Sequence, residues 1–188
     1  MRQNFPRIPL PRTKDDLTQS ATLGKKIAAL LDTEKQVSGV TVGKIDERLR
    51  TIGVAAHAEG KQFQDDDFAV TAGWGHAGKD GVTMPAKGKY NIREAEINLL
   101  GATTYDIFIN DIAYWRNVPE KVWQFYIGGY QVIKKWLSYR EIELLGRPLI
   151  LDEITEVTNM IRRISAIILL GSDLNENYRK IKTNFYKQ

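Results

Sequence analysis

Toward its end the chain repeats branched apolar residues at helical spacing. Ile154, Val157, Ile161, Ile164 and Ile168 stand at offsets 0, 3, 7, 10 and 14, one apolar stripe on a helix from Asp152 to Leu170. Arg162 and Arg163 interrupt the run from Ile161 to Leu170, which falls short of the roughly 18–20 residues that cross a bilayer. Such a helix needs other elements to pack on, and the preceding sequence contains them. From Phe68 the pattern turns to strand: FAVTAGW, VTM, YNIREAEI and YDIFIN alternate between Gly-rich turns, which predicts a small antiparallel sheet. Near the start, Leu17, Ala21, Gly24, Ala28 and Leu31 form a second helical stripe over about Asp15 to Leu31. Its small residues suggest close packing on a neighbour. The expected class is α+β: a small antiparallel sheet with an N-terminal helix and a C-terminal group of helices.

The remaining segments read less evenly. Residues 1–13 carry Pro6, Pro9 and Pro11, and form an extended connector that lies on another surface through Phe5, Ile8 and Leu10. Residues 33–67 are ambiguous, with a short strand at Gly39 to Val42 and a short helix at Lys44 to Ile52 as candidates. Pro119 starts a short helix, and Gly128-Gly129 breaks it. Val132 to Leu145 reads as one helix stopped by Gly146 and Pro148. A last helix covers about Asp173 to Phe185.

Many chemistries are excluded. With no cysteine the chain has no disulfide, zinc finger or thiol nucleophile, which fits a cytoplasmic protein. His57 and His76 lack ligand spacing, so no metal site is expected. No GxSxG elbow, P-loop or GxGxxG turn is present. Asp65-Asp66-Asp67 reads as a solvated loop, and Asp152-Glu153 as the acidic opening of a helix. No nucleophile–base pair stands out, and the start of the chain has no apolar signal-peptide stretch.

The charge is mildly basic, 27 Lys plus Arg against 23 Asp plus Glu, which permits nucleic acid binding without demanding it. From Thr71 to Arg93 there are four bases (Lys79, Lys87, Lys89, Arg93) and one acid, Asp80. Tyr178 to Gln188 is also purely basic. Solvated faces are the competing explanation for these runs. The segment Ala113 to Arg140 interleaves aromatics with Arg116, Lys121, Lys134, Lys135 and Arg140. Such cations can hold phosphates, while Trp115, Trp123, Trp136 and Tyr130 read as packing residues.

These residues carry a resemblance. YDIFIN, AYWRNVPEKVWQFYIGGYQVIKKWLSYRE, LGRPL, VTNMIRRISAIILL and LNENYR resemble the C-terminal specificity domain of type ISP restriction-modification enzymes. Those are single polypeptides joining nuclease, ATP-driven translocase, N6-adenine methyltransferase and target recognition. GGYQVIKKWLSYR also resembles the tails of other fused restriction enzyme–methyltransferases, and FPRIPLP is similar to the connector leaving the methyltransferase domain. The resemblance implies a target-recognition domain over residues 14–188, with double-stranded DNA and a methyltransferase domain, in cis or trans, as partners and no membrane role. The chain contains no Pro-Pro for an [DNS]PP[YFW] pocket, no S-adenosylmethionine turn and no Walker motif. It is therefore expected to be catalytically inert alone, with no cofactor of its own; S-adenosylmethionine and ATP with Mg would belong to other domains.

Residues that read the sequence do not transfer by resemblance. The polar, Gly-rich loop from Trp74 to Arg93 is the expected DNA contact, through His76, Lys79, Lys87, Lys89 and Arg93, since neither Lys87 nor Lys89 has an evident structural task. Arg116, Lys134, Lys135 and Arg140 join them as candidates. A flexible solvated hairpin is the competing reading of the loop. Two other functions stay open: a protein-interaction module docking a methyltransferase or nuclease through FPRIPLP and the first helix, and a small enzyme with an unrecognised site.

Overall fold

The computed structural model describes residues 9–95 and 98–184. Phe5, Ile8, Glu96, Ile97 and Phe185, which the sequence reading uses, lie outside the described residues. Among the described residues fifteen α-helices and strands follow one another. Helix α1 (Lys14–Leu31) and the single turn α2 (Glu47–Arg50) precede strand β1 (Val54–His57). Then come β2 (Gly75–Ala77), β3 (Thr83–Pro85), β4 (Tyr90–Glu94), β5 (Thr103–Phe108) and β6 (Ala113–Pro119). Helix α3 (Glu120–Trp123), strands β7 (Tyr126–Ile127) and β8 (Tyr130–Gln131), and helices α4 (Val132–Ser138), α5 (Ile142–Leu145), α6 (Leu151–Leu169) and α7 (Gly171–Thr183) complete the fold. The α+β class is as expected, with a four-stranded antiparallel sheet in the order β1-β6-β5-β4 and two separate two-stranded hairpins.

Helix α6 lies where its stripe predicts. Ile154, Val157, Ile161 and Ile164 are buried, and α6 packs on β1, β6 and α3. The approach is close. A Cβ on Gly53 would stand 2.8 Å from Ile161, and the Thr158 hydroxyl donates to the Gly53 carbonyl at 2.8 Å. Glu153 opens the helix as its sequence position suggests, accepting the Ile150 N–H at 2.9 Å and pairing with Arg147 at 2.7 Å. These donors hold its carboxyl below the usual carboxylate range.

Helix α1 forms but buries a different face from the one its apolar spacing indicates. Thr13 caps it, accepting the Asp16 N–H at 3.2 Å. Asp16, Leu23 and Leu30 are buried, while Leu17, Ala21, Gly24, Ala28 and Leu31 are all exposed. The cause is α7, which presents polar partners. Lys180 reaches Asp16 at 2.6 Å, and the Asn177 amide donates to Ser20 at 3.0 Å. At its other end α1 has no basic residue in the last turn. Buried Arg163 of α6 takes that place, donating to the carbonyls of Ala29, Leu30, Asp32 and Lys35.

Four expectations fail in whole or in part, each for a physical reason. FAVTAGW is not a strand: Asp65–Phe68 is a 3-10 turn, and the N–H groups of Thr71 and Ala72 both donate to the Ile109 carbonyl. Its alternation reflects burial of Phe68, Val70 and Trp74 without a ladder. Gly39 to Val42 is a turn closed by the Gly39 N–H on Val42, with Gly39 left-handed. Lys44 to Ile52 is helical only over Glu47–Arg50. There Asp46 accepts from the backbone and guanidinium of Arg48, which hold its carboxyl at about 2. Val132 to Leu145 is two helices, α4 and α5, because Glu141 is extended between them (ψ 140°) and the Ile142 N–H donates to the Val70 carbonyl at 2.8 Å instead of into a helix.

The aromatic-rich segment after Asn110 contains β6, next to the edge strand β1 in the sheet, and neither strand is predicted above. Trp115 is fully buried there, opposite Ala55 on one side and Ile107 on the other. Trp74, Trp123, Tyr105 and Tyr90 form a ring cluster with centroids 5.5–6.1 Å apart.

Candidate nucleic-acid interface

Strands β2 and β3 form a short hairpin that pairs His76 with Met84. Its tip is Gly78 to Val82, where Asp80 and Gly81 both adopt positive φ. The tip projects as the sequence suggests, and His76, Lys79, Asp80 and Lys87 are exposed. The base does not project. The Ala86 N–H donates to the Trp74 carbonyl at 2.7 Å and the Gly88 N–H to Gly73 at 2.9 Å. Trp74 is fully buried, and its ring lies against Gly88, where a Cβ would stand 1.9 Å from Trp74 Cε3. Gly88 also has φ +70, so only glycine satisfies both demands.

The hairpin lies on α4. A Cβ on Gly75 would stand 1.9 Å from the Ser138 carbonyl oxygen, so glycine permits this approach. Just beyond α4, the Glu141 carboxylate is buried and accepts the Trp74 N–H, with the backbone of Gly73 and Gly75 also turned to it. Burial raises its pKa, and these backbone donors oppose the shift. Glu141 thus fixes the hairpin to the α4–α5 corner. Nothing in its local sequence distinguishes it from a surface glutamate.

The structure therefore packs the hairpin segment that carries His76, Lys79 and Lys87 on α4, the helix that carries Lys134 and Lys135. Among the described residues none of these five is in an ion pair. Lys135 Nζ sits 4.8 Å over the Tyr130 ring and 4.4 Å over Tyr139. Tyr130 is 56% exposed, which corrects its reading as a packing residue. Trp136 is half-buried, its indole N–H donating to Glu156 at 2.9 Å.

The other candidates have structural partners or a different location. Lys89 pairs with Asp111 at 2.5 Å and lies 4.8 Å over the Phe108 ring, so it does have a structural task. Arg93 grips Asp106 with two nitrogens, at 2.9 and 2.7 Å, and reaches Asn117 at 3.0 Å. Arg140 stacks 3.6 Å from the Trp136 ring and stands 3.8 Å from Glu153; burial lowers its pKa. Arg116 is exposed on β6, opposite Val54 of the edge strand β1.

Among the described residues no helix is long and apolar enough to cross a membrane. No group of three His, Asp or Glu could hold a metal there. No curated protein and no solved structure matches the chain significantly. The family model for the type ISP C-terminal specificity domain matches residues 1–168 of the 188, through β1 to β8 and nearly all of α6. A match of that extent, over an α+β fold with the expected helical ends, places this chain in the type ISP C-terminal specificity domain family, the target-recognition part of restriction-modification enzymes.

Proposed function

We propose that this domain binds duplex DNA through the β2–β3 hairpin and α4, presents it to an N6-adenine methyltransferase domain, and performs no catalysis itself. One observation carries the placement. Lys79 and Lys87 flank β3, which packs on the helix of Lys134 and Lys135, and all four stand outside any ion pair among the described residues, whereas Lys89 and Arg93 are matched by carboxylates. Unmatched cations are the ones that release counterions from a phosphate backbone. S-adenosylmethionine, ATP and Mg belong, on this reading, to other domains, and the location is cytoplasmic, where the DNA is. Fluorescence anisotropy with a mixed-sequence duplex tests it. Affinity in the range of about 10⁻⁴–10⁻⁶ M, falling steeply with salt, is expected. No binding at about 100 μM protein overturns it.

A second contact is favoured by the exposed α1 face. Leu17 and Leu31 are 57% and 55% exposed, with Ala21, Gly24 and Ala28 between them. This stripe is suited to carrying the domain against its methyltransferase neighbour. Leu17→Asp with Leu31→Asp should then weaken capture of a methyltransferase domain supplied in trans and leave DNA binding unchanged. Unchanged capture removes the stripe from the interface.

A further inference from the structure

Hairpin β7–β8 is made of residues its own fold does not bury. Tyr126, Ile127 and Tyr130 are 60%, 57% and 56% exposed. The turn between them, Gly128-Gly129, has φ of 58° and 85°, with open space around both residues. Two left-handed central residues make the tight turn that suits the twist of a hairpin. Strands of two residues add little stability of their own. The hairpin is instead held at its base. The Gln131 amide donates to the Trp123 carbonyl, and the Val132 N–H donates to Phe125 at 3.1 Å. Single exposed apolar side chains are ordinary. Here three large ones are gathered on a projecting turn.

The surroundings of that turn are cationic. From Lys121 to Arg140 there are four bases and no carboxylate. Among the described residues the carboxylates that meet this segment lie at its ends: Glu120 accepts from the Gln124 amide at 3.5 Å, Glu156 accepts from the Trp136 indole, and Glu153 stands near Arg140. Lys121, Lys134 and Lys135 have no ion-pair partner among the described residues. Lys135 also braces the Tyr130 ring against α4. An apolar tip above a cationic base complements duplex nucleic acid. Phosphates meet the cations, and apolar side chains enter the base stack, as wedge residues do in proteins that kink DNA.

We propose that Ile127, flanked by Tyr126 and Tyr130, is a wedge that inserts between base pairs of duplex DNA, with Lys134 and Lys135 holding the adjacent phosphates. The inference rests on the DNA-binding reading and deepens it. A base that must leave the helix for methylation leaves more easily where the stack is already opened.

The test compares a mixed-sequence duplex with the same duplex carrying one mismatch, by anisotropy. Unstacking costs a few kcal/mol per step, and a mismatch has already lost part of it. The wild-type domain should therefore favour the mismatched duplex by roughly five- to tenfold. A 2-aminopurine beside the mismatch should brighten in the complex. Ile127→Ser should abolish both the preference and the brightening, with an unchanged melting temperature because the side chain is exposed. Lys134→Gln with Lys135→Gln should weaken both duplexes equally and keep the preference. Equal wild-type affinity for the two duplexes overturns the wedge while leaving DNA binding intact. So does a preference that survives Ile127→Ser. If Ile127→Ser instead weakens capture of a methyltransferase domain and leaves both DNA readouts unchanged, the hairpin is a protein contact and the wedge is overturned. Absence of binding to either duplex at about 100 μM removes the DNA reading and the wedge together.

Discussion

On the four-stranded sheet Lys89 meets Asp111 and Arg93 grips Asp106. On the hairpin–helix face Lys79, Lys87, Lys134 and Lys135 meet no carboxylate among the described residues. Both groups are basic side chains, and Lys87 and Lys89 stand only two residues apart. What separates them is the partner strand. Pairing across β4 and β5 sets Asn91 opposite Asp106, which brings Arg93 within reach of that carboxylate. The β2–β3 tip offers only Asp80. Of these pairs the exposed one, Lys89–Asp111, contributes little to stability, about 0.2–1 kcal/mol, while the carboxylate of the other, Asp106, is buried. Their effect on function is larger, because a matched cation presents almost no field to a phosphate.

The largest way to disturb this contrast is to remove what holds the two regions together. Trp74 is fully buried, edge-on to Trp123 at 5.5 Å, and donates to the Phe108 carbonyl at 2.7 Å, so it joins the hairpin base to the sheet. Trp74→Ala should lower stability by roughly 3–5 kcal/mol. Tyr130→Ala, at an exposed position, should stay within about ±0.5 kcal/mol. Half-buried Trp136→Ala should fall between them. Chemical denaturation measures all three, and equal losses at Trp74 and Tyr130 contradict the burial pattern.

A smaller loss is expected at Glu141, which attaches the hairpin without filling space. Glu141→Ala leaves the buried Trp74 N–H without its acceptor, at a cost of roughly 1–3 kcal/mol. Glu141→Gln keeps an acceptor and should cost less. The two structural glutamates should also show opposite pH trends. Burial raises the Glu141 pKa above its ordinary 4.5, so its contribution is full below that value and is lost as pH rises through the folded pKa. Arg147 and the Ile150 N–H lower that of Glu153, so its contribution is full above 4.5 and is lost as pH falls through the folded pKa. Relative to wild type, Glu141→Gln should therefore gain stability from pH 4 to pH 8, while Glu153→Gln should lose it. Parallel trends in melts across that range would show that the two carboxyls do not differ in this way.

Part of this contrast is legible in the sequence. The α6 stripe, the acidic opening at Asp152-Glu153 and the strands at YNIRE and YDIF are local signals, and the structure keeps them. The face of α1 is not legible, because apolar spacing marks Leu17 and Leu31 while the choice is made by Lys180 and Asn177, more than 150 residues away. Strand β6 escapes detection because Tyr114, Trp115 and Arg116 do not alternate polar with apolar, and Asn117 enters with φ 56°. The candidate cations are legible as a set. Their division is not, since Asp106 meets Arg93 through the β4–β5 pairing, and Asp111, between β5 and β6, meets Lys89 just before β4.

Charge reversal tests that division at the level of binding. Lys134→Glu with Lys135→Glu, and separately Lys79→Glu with Lys87→Glu, should each reduce DNA affinity. Each lost phosphate contact removes about 0.9 from the slope of log affinity against log salt, so each pair should flatten it by up to roughly 2. If only the helix pair matters, the β2–β3 hairpin is a solvated loop beside the true contact. Should neither pair matter, the docking role of α1 becomes the domain's main function.

The smallest effect should come from Lys89, and it is the sharpest comparison because Lys87 stands two residues away. Both are exposed lysines of one loop, separated by Gly88. Gly88 is left-handed beneath Trp74, which turns the chain between them, and the Phe108 N–H on the Lys89 carbonyl at 3.0 Å ties Lys89 to the sheet. Its ammonium is held by Asp111 and faces the Phe108 ring. Lys89→Gln should thus cost no more than about 1 kcal/mol in stability, the range of an exposed pair. Neutralising it also frees the Asp111 carboxylate, so the local net charge becomes negative and affinity should dip slightly without a change of salt slope. Lys87→Gln should do the reverse, leaving stability alone and flattening the slope by up to about 0.9. Measuring both slopes under one set of salt concentrations separates a cation that serves the fold from one that serves the ligand. Equal slopes for the two variants would mean that the Asp111 pair opens when DNA arrives, and the boundary between the two regions would then have to move to include β4.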